Sequence, residues 1–252
     1  MALIVGIGEL LWDVLPSGPQ MGGAPANFAC HARALGAEAM VVSRVGDDPG
    51  GHEIIGRLQA LGVDTTGIGI DPVHTTGQVD VVLGEGGQPS YTIHDDVAWD
   101  HIEATPRLLE IMATADVVCF GTLGQRGPVS RAAIRELVSR CGPHALRVLD
   151  VNLRKEYFSR DLVHESMLAV NVVKLNDEEL SILSPMLGIS GDTPREQLAG
   201  LLEAYDLRLI ACTRGGEGSL LYDGTTFCEH PGMETTVADT VGAGDSFTSA
   251  LT

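Results

Sequence analysis

Short apolar runs alternate with longer segments of helical periodicity along most of the chain. Residues 3–7 form the first run, and similar runs recur at 116–120, 146–151, 171–175 and 208–212. Apolar runs of about four to eight residues between turn signals are typical of buried strands. The alternation predicts an α/β fold with a mostly parallel, Rossmann-like sheet and helices on both faces.

Residues 77–95 depart from this alternation. Two strand-like stretches, 78–83 and 89–94, flank the turn Gly84-Glu-Gly-Gly87, which is a hairpin pattern. A hairpin beside the ligand-binding edge of the sheet is a candidate lid that excludes water, although an ordinary edge hairpin would show the same pattern. Because the chain has no internal repeat and no clean boundary, we predict a single domain over residues 1–252, with β-lid segments at about 10–20 and 77–95.

The composition of the chain limits the kinds of ligand and partner that it can bind. The chain carries a formal net charge of −18 with 44% hydrophobic residues. This acidity disfavours nucleic acid and anionic membranes as partners, while local amides and arginines can still bind a small anion. The five cysteines contain no CxxC pair, which predicts buried free thiols in a reducing compartment. Because the N-terminus lacks a basic signal region and no apolar run approaches the roughly 20 residues that span a bilayer, we expect a cytoplasmic protein.

The most specific stretch is Asp239-Thr-Val-Gly-Ala-Gly-Asp-Ser-Phe247. Three small residues, Gly242, Ala243 and Gly244, precede an apolar run that predicts a helix. The first turn of a helix has unpaired N–H groups that bind anions. Asp245 lies inside that turn, where its carboxylate could take a proton from a substrate hydroxyl. Anion-binding amides beside a base indicate phosphoryl transfer to an alcohol, although Gly-Ala-Gly-Asp alone also fits a plain helix N-terminus.

Polar groups near the N-terminus fit a ligand with several hydroxyls. Asp13 lies just past the first strand, at the edge where open α/β sheets bind ligands. Gly22 and Gly23 permit close approach of a ligand, and Asn27, at the start of a helical pattern, offers both a donor and an acceptor. A loop aspartate and a Gly/Pro turn with a helix cap are the structural alternatives.

Two later segments carry candidate phosphate and metal groups. Asn176 and Glu179 are three residues apart, which places them on one helix face, and the pair also fits a helix cap with its return glutamate. In Thr213-Arg-Gly-Gly-Glu-Gly218 the glycines can bend backbone amides around a phosphate, and Thr213 can donate its hydroxyl. The absence of a Walker lysine motif from the sequence excludes a P-loop kinase.

In order and over nearly the whole chain, these motifs resemble the ribokinase-like (PfkB) family of carbohydrate kinases. Ala98-Trp-Asp-His-Ile102, Phe120-Gly-Thr-Leu-Gly-Gln-Arg126 and Asp150-Val-Asn-Leu-Arg154 are most similar to its fructokinase branch. The resemblance implies that Asp245 is the catalytic base and that Gly242 to Gly244 form an anion hole for the transferred phosphate. Arg154 would then stabilise negative charge during transfer, although a surface arginine paired with a nearby acid is the alternative.

The same resemblance implies the remaining roles. The sugar-binding residues would be Asp13, Gly22, Gly23, Asn27 and Asn152. The ATP-binding residues would be Thr213, Gly215, Gly216, Gly218 and Asn176. Magnesium would be held through water by Asn176 and Glu179, and a monovalent cation such as K⁺ would lie near Asp239. A homodimer would form through the lid.

These expectations together predict an ATP-dependent kinase that phosphorylates the primary hydroxyl of a sugar, with fructose first. The alternatives are a kinase for 2-keto-3-deoxygluconate or another ketose, and a sugar-binding protein without turnover. The family continues past Gly-Ala-Gly-Asp with helices that complete the adenine pocket and the cation site, whereas this sequence stops at Thr252. We therefore expect the natural protein to be longer.

Overall fold

The structure, a computed structural model of the chain, describes residues 1–15, 17–83, 89–236 and 240–252. The strands of this part, in chain order, are β1 Leu3–Ile7, β2 Leu11–Leu15, β3 Gly18–Gly22, β4 Glu38–Gly46, β5 Asp64–Asp71, β6 Gly77–Leu83, β7 Pro89–Ile93, β8 Val117–Phe120, β9 Leu146–Asp150, β10 Val172–Asn176, β11 Leu209–Thr213, β12 Ser219–Tyr222 and β13 Phe227–His230. The α-helices are α1 Ala24–Ala34, α2 Pro49–Ala60, α3 Pro106–Met112, α4 Pro128–Ser139, α5 Arg160–Leu168, α6 Asp177–Leu187, α7 Pro194–Ala204 and α8 Ala243–Leu251. Short 3₁₀ helices cover Ala98–His101, Leu123–Gln125 and Gly215–Glu217.

The main sheet has the strand order β13-β12-β11-β10-β9-β8-β1-β4-β5. Every neighbouring pair from β11 to β5 is parallel, and β12 and β13 add an antiparallel edge. The predicted mostly parallel sheet is confirmed, and the five predicted apolar strands coincide with β1, β8, β9, β10 and β11. The antiparallel edge follows from the short loop between β11 and β12, because a parallel pair needs a longer crossover.

A second, four-stranded sheet has the order β3-β2-β6-β7. Two antiparallel hairpins, β2–β3 and β6–β7, are joined by a parallel pairing of β2 with β6. The segments predicted at about 10–20 and 77–95 therefore supply the same sheet. Their pairing brings Asp13 and Val79, which are far apart in sequence, into register.

Helices cover both faces of the main sheet, and the side chains of a single strand show this. In β8, Val118 and Phe120 belong to one hydrophobic cluster, whereas Val117 and Cys119 belong to another. The first cluster includes core residues of α3 to α7, and the second includes those of α1 and α2. Because neighbouring residues of a strand point to opposite faces, two separate clusters mean two covered faces.

Local sequence signals explain where several helices begin. Side chains of Asp48, Thr105 and Ser159 each accept a hydrogen bond from an amide three residues on, at the starts of α2, α3 and α5. Such caps satisfy amides that have no partner within the helix.

All five cysteines are free, as predicted, but the prediction that they are buried is only partly right. Cys119 and Cys212 are buried, Cys30 and Cys141 are half-buried, and Cys228 is exposed. Cys228 lies on the edge strand β13, which has a partner strand on one side only. In the described part of the chain, no helix combines the length and apolar character needed to cross a membrane.

Candidate active site

The candidate residues gather where the parallel strands of the main sheet end. The order of the strands reverses at this edge between β1 and β8, because β4 and β5 lie on one side of β1 and β8 to β11 on the other. Crevices at such reversal points are the usual ligand sites of open α/β sheets. A crevice at this point is lined by Ala24, Pro25, Phe28, Cys119, Phe120, Gly121, Asp150 and Asp245.

Asp245 enters this crevice from the first turn of α8. Gly242 caps the helix with φ 74°, in the left-handed region that glycine adopts without strain. Asn27, on α1, donates a hydrogen bond from Nδ2 to Oδ2 of Asp245 at 2.9 Å. Burial raises the pKa of the Asp245 carboxyl; the Asn27 hydrogen bond opposes this rise, and the nearby charge of Asp150 adds to it. The arrangement holds a basic carboxylate beside the amides of a helix N-terminus.

A buried ion pair lies directly beneath the small residues of α8. Nζ of Lys174 is 3.1 Å from Oδ1 of Asp150, and both side chains are less than a tenth exposed. Thr248 donates its hydroxyl to the other carboxylate oxygen of Asp150 at 2.7 Å. A Cβ added to Gly244 would lie only 2.8 Å from Nζ of Lys174. Glycine at this position thus lets the helix start rest on a buried ammonium group, which adds positive potential to that of the helix N-terminus.

The charge of Arg154 influences the pKa of three carboxyl groups, those of Glu9, Asp13 and Asp245. Burial raises the pKa of Glu9 to about 7 and raises the pKa of Asp13, and Arg154 opposes the rise in both. Arg154 also opposes the rise that burial causes in the pKa of Asp245. Its side chain is exposed, and its one hydrogen bond in the described structure goes to the carbonyl of Leu153 at 3.5 Å. The predicted arginine is therefore close enough to act electrostatically on all three acids.

The glycine pair fits tightly between β2 and the start of α1. In the β2–β3 hairpin Gly22 pairs with Leu11, and a Cβ at Gly22 would overlap the carboxylate of Asp13. Gly23 has φ 114°, and a Cβ there would overlap the carbonyl oxygen of Glu9. The chain can pass here only because both residues lack a side chain. The pair consequently lies next to Asp13 and a few residues before Asn27.

Asn152 follows β9 in the left-handed region, with φ 45°. Asparagine tolerates this conformation better than most residues. Thr122, at the end of the neighbouring strand β8, donates its hydroxyl to the carbonyl of Val151 at 2.9 Å and so fixes the turn. The half-buried Asn152 side chain is thereby presented at the ligand edge.

The Asn176/Glu179 pair is a complete capping box at the start of α6. Oδ1 of Asn176 accepts from the Glu179 amide, and Oε2 of Glu179 accepts from the Asn176 amide, both at 2.8 Å. Oε1 of Glu179 accepts from the Leu153 amide at 2.9 Å, which ties α6 to the segment after β9. Burial raises the pKa of Glu179. The helix cap, which was one of the two interpretations of this pair, is therefore present. It leaves lone pairs on both carboxylate oxygens of Glu179 for other partners.

The glycine-rich loop Thr213–Gly218 connects β11 to β12 through a 3₁₀ turn. The amide of Arg214 donates to the carbonyl of Gly218 at 2.8 Å and closes the loop. Gly215 and Gly218 have φ 54° and 85°, and a Cβ at Gly218 would overlap the carbonyl oxygen of His230. In the described part of the chain nothing lies within 4 Å of a Cβ built at Gly215 or Gly216, and this side of the loop is open there. Asp239, predicted near a monovalent cation, lies outside the described residues.

Comparison with known proteins agrees with this arrangement. Residues 18–252 match the model of the pfkB family carbohydrate kinases. The chain belongs to the pfkB family of carbohydrate kinases. It is 30% identical to a sugar kinase of Pyrococcus horikoshii, over 99% of this chain and 81% of that protein. It is also 30% identical to a fructokinase of Solanum tuberosum, over 99% of this chain and 79% of that protein.

Solved structures of sugar kinases superpose on nearly all of this pfkB kinase. The crystal structure of the Pyrococcus horikoshii sugar kinase matches with a TM-score of 0.85 and 30% identity over 99% of this chain and 83% of that one. The same protein in complex with ATP matches with a TM-score of 0.83 over 98% of this chain and 83% of that one. The apo fructokinase of Vibrio cholerae matches with a TM-score of 0.82 and 26% identity over 100% of this chain and 88% of that one. The chain is an ATP-dependent sugar kinase.

The sequence analysis did not predict four residues of this pfkB kinase site: Glu9, Asp150, Lys174 and Thr248. Each had a weak signal. Lys174 is one of only two lysines and interrupts an apolar strand, which suggests a buried partner. Asp150 ends its strand at the ligand edge, and Glu9 follows directly after β1. Thr248 is the exception and has no signal in the sequence, because its role depends on a hydrogen bond to Asp150, 98 positions away.

Proposed function

We propose that this kinase transfers the γ-phosphoryl group of ATP to the primary hydroxyl of fructose. The observation that carries the proposal is the position of Asp245. Its carboxylate lies in the first turn of α8, bonded to Asn27 and beside the crevice at the sheet edge. A base and the amides of a helix N-terminus within one turn match the two needs of the reaction, which are removal of a proton and stabilisation of a charged phosphoryl group.

The sugar lies on the N-terminal side of Asp245 in this proposal. Asp13 accepts hydrogen bonds from sugar hydroxyls, and Asn27 orients both the sugar and Asp245. Gly22 and Gly23 let the backbone pass close to Asp13 and Glu9 and so shape the edge of the sugar site. Asn152 adds a further polar contact. The supporting observations are the shared electrostatic influence of Arg154 on Asp13 and Asp245 and the tight backbone at both glycines.

The phosphates of ATP lie on the other side, between α8 and the loop 213–218. Thr213 and the open glycines Gly215 and Gly216 contact the nucleotide phosphates, while Gly218 fixes the fold of the loop. As the sugar oxygen attacks, Asp245 takes its proton and the amides of residues 242–244 receive the developing charge. Arg154 adds a mobile positive charge from the solvent side.

Magnesium fits the oxygen donors near the start of α6. Asn176 and Glu179 would hold the ion through water, since each carboxylate oxygen already accepts one amide and retains a lone pair. The ion would supply charge neutralisation for the ATP phosphates. A monovalent cation near Asp239 remains part of the proposal.

The second sheet serves as the lid and as the dimer contact in this proposal. Its strands carry Asp13 on one side, so closure of the sheet over the sugar would exclude water from the transfer. The same resemblance that implies the lid implies that a second copy of the chain packs against this sheet. Sedimentation velocity of the purified protein tests the dimer directly.

Steady-state kinetics with a panel of acceptors tests the substrate. Fructose, ribose, tagatose, glucose and 2-keto-3-deoxygluconate are compared by kcat/KM at saturating ATP, with ADP release as the readout. The proposal expects fructose to give the highest kcat/KM. A higher value for the keto-deoxy sugar acid would identify the alternative substrate, and sugar binding without ADP release would identify a binding protein.

A further inference from the structure

Two histidines and an aspartate, none of which is assigned to the kinase site, meet where the chain passes between the two sheets. His74 lies on the connection from β5 to β6, while Asp96 and His101 lie on the return from β7. The amide of Ala98 donates to the carbonyl of Thr75 at 2.8 Å, so the two connections run side by side. The β6–β7 hairpin is attached to the main sheet by these two connections.

The three side chains present nitrogen and oxygen donors to one another. Nε2 of His101 is 3.0 Å from Oδ1 of Asp96, and Nε2 of His74 is 3.7 Å from the same oxygen. The ligand atoms of all three residues lie within 4.8 Å of one another. In a tetrahedral zinc site with bonds of about 2.1 Å, the ligand atoms are about 3.4 Å apart. The two nitrogen–oxygen separations, 3.0 Å and 3.7 Å, lie on either side of this value.

The orientation of His74 is fixed from behind. Its Nδ1 lies 3.0 Å from Oδ2 of Asp71, whose carboxylate is 3% exposed. Asp71 is held in turn by Arg44 at 3.1 Å and by the amides of Val73 and His74. A carboxylate behind one imidazole nitrogen is the usual support of a metal-binding histidine, because it leaves the other nitrogen with its lone pair outward.

The backbone of Asp96 is unusual in a way that serves the same cluster. Its φ is 53°, a left-handed conformation that few non-glycine residues adopt. The side chain is 79% exposed, so packing does not demand this conformation. This conformation places Oδ1 of Asp96 at the edge of both imidazoles, 3.0 Å and 3.7 Å from their Nε2 atoms, while the two rings are stacked with centroids 3.7 Å apart.

We propose that His74, Asp96 and His101 bind one divalent transition-metal ion, for which Zn²⁺ is the best match, with water as the fourth ligand. Two imidazoles and a carboxylate are borderline donors that select zinc over magnesium or calcium. On binding, the imidazole of His101 turns out of the stack while Asp71 keeps His74 in place, so that both Nε2 atoms converge on the ion. The ion joins the two connections and so stiffens the attachment of the β6–β7 hairpin to the main sheet.

Isothermal titration of the full chain with ZnCl₂, in millimolar MgCl₂, tests the proposal. Zinc should bind with a stoichiometry of one, and Co²⁺ should give the visible absorption of a four-coordinate site. Asp96→Asn and His101→Ala should each weaken zinc binding by about 10²-fold or more, and Asp71→Asn by roughly 10–100-fold as a supporting carboxylate. Because Asp96 is exposed, its variant is expected to fold as the parent does, and thermal melting checks this.

His52→Ala is the matched control. His52 also pairs with an aspartate, Asp47, at 3.1 Å, but both are 60% exposed, and no third ligand among the described residues adjoins them. The control should bind zinc as the parent does. Zinc should raise the melting temperature of the parent and of the control, but not that of Asp96→Asn or His101→Ala. Absence of saturable zinc binding, or equal affinity in the parent, Asp96→Asn and His101→Ala, would overturn the proposal.

Discussion

Replacement of Asp245 by asparagine separates its role as a base from every structural role. The structure shows that the side chain accepts one hydrogen bond, from Asn27 at 2.9 Å. Asparagine retains an acceptor oxygen for that bond and has nearly the same shape. The substitution therefore removes the negative charge and the proton-accepting function while it leaves the contact in place.

The expected loss follows from the worth of a positioned general base. Turnover should fall by roughly 10²–10⁴, which corresponds to about 2.7–5.4 kcal/mol in the activation free energy. Stability should not fall in parallel. Because burial raises the pKa of Asp245, ionisation costs the folded protein free energy at any pH above that pKa, and the neutral amide avoids this cost.

ADP release in a coupled assay measures kcat, and calorimetric titration measures the affinity for sugar. Asp177→Asn is the matched control, because Asp177 also lies in the first turn of a helix but is exposed. We expect the control to retain full turnover and both variants to bind sugar nearly as the parent does. Near-normal kcat in Asp245→Asn would refute the assignment of the base.

Four further changes probe the rest of the site. Asp13→Ala should weaken sugar binding by about 1.5–3 kcal/mol without affecting ATP; unchanged sugar titrations would contradict this. Glu179→Gln should raise the magnesium concentration needed for half-maximal rate. If only the KM for sugar changed, the role of Glu179 would be limited to capping α6. Gly218→Ala should destabilise the fold by roughly 1–3 kcal/mol in urea, with Gly216→Ala as its neutral control. Since the pKa of Glu9 is raised to about 7, stability should fall as pH rises towards 7 and Glu9→Gln should flatten that slope.

Sequence patterns predicted the main sheet well because its strands are buried runs with clear boundaries. β1 spans the predicted residues 3–7, and the run at 146–151 ends within one residue of β9. The parallel pairing of β2 with β6 was beyond the sequence. It joins Leu11 to Gly77, and such a register depends on how two hairpins dock and not on local periodicity.

The candidate site was predictable where a motif is local and less so where it is assembled. The turn with Gly242 and Asp245 could be identified from nine consecutive residues. The ion pair of Lys174 with Asp150 and the bond of Asn27 to Asp245 required the fold, because the latter spans 218 positions. The sequence allowed two interpretations of Asn176 and Glu179, a magnesium site and a capping box. Only the structure shows that the two hydrogen bonds of the capping box are present.

We propose above all that the chain phosphorylates the primary hydroxyl of fructose at the Asp245 site. Phosphorus NMR of the product mixture, after incubation of the protein with fructose, ATP and MgCl₂, tests it most directly. We predict one new monoester signal, coupled to the two protons of a CH₂ group, that grows in step with ADP and is absent with Asp245→Asn. Coupling to a single CH proton, or ADP and inorganic phosphate without a sugar phosphate, would contradict the account.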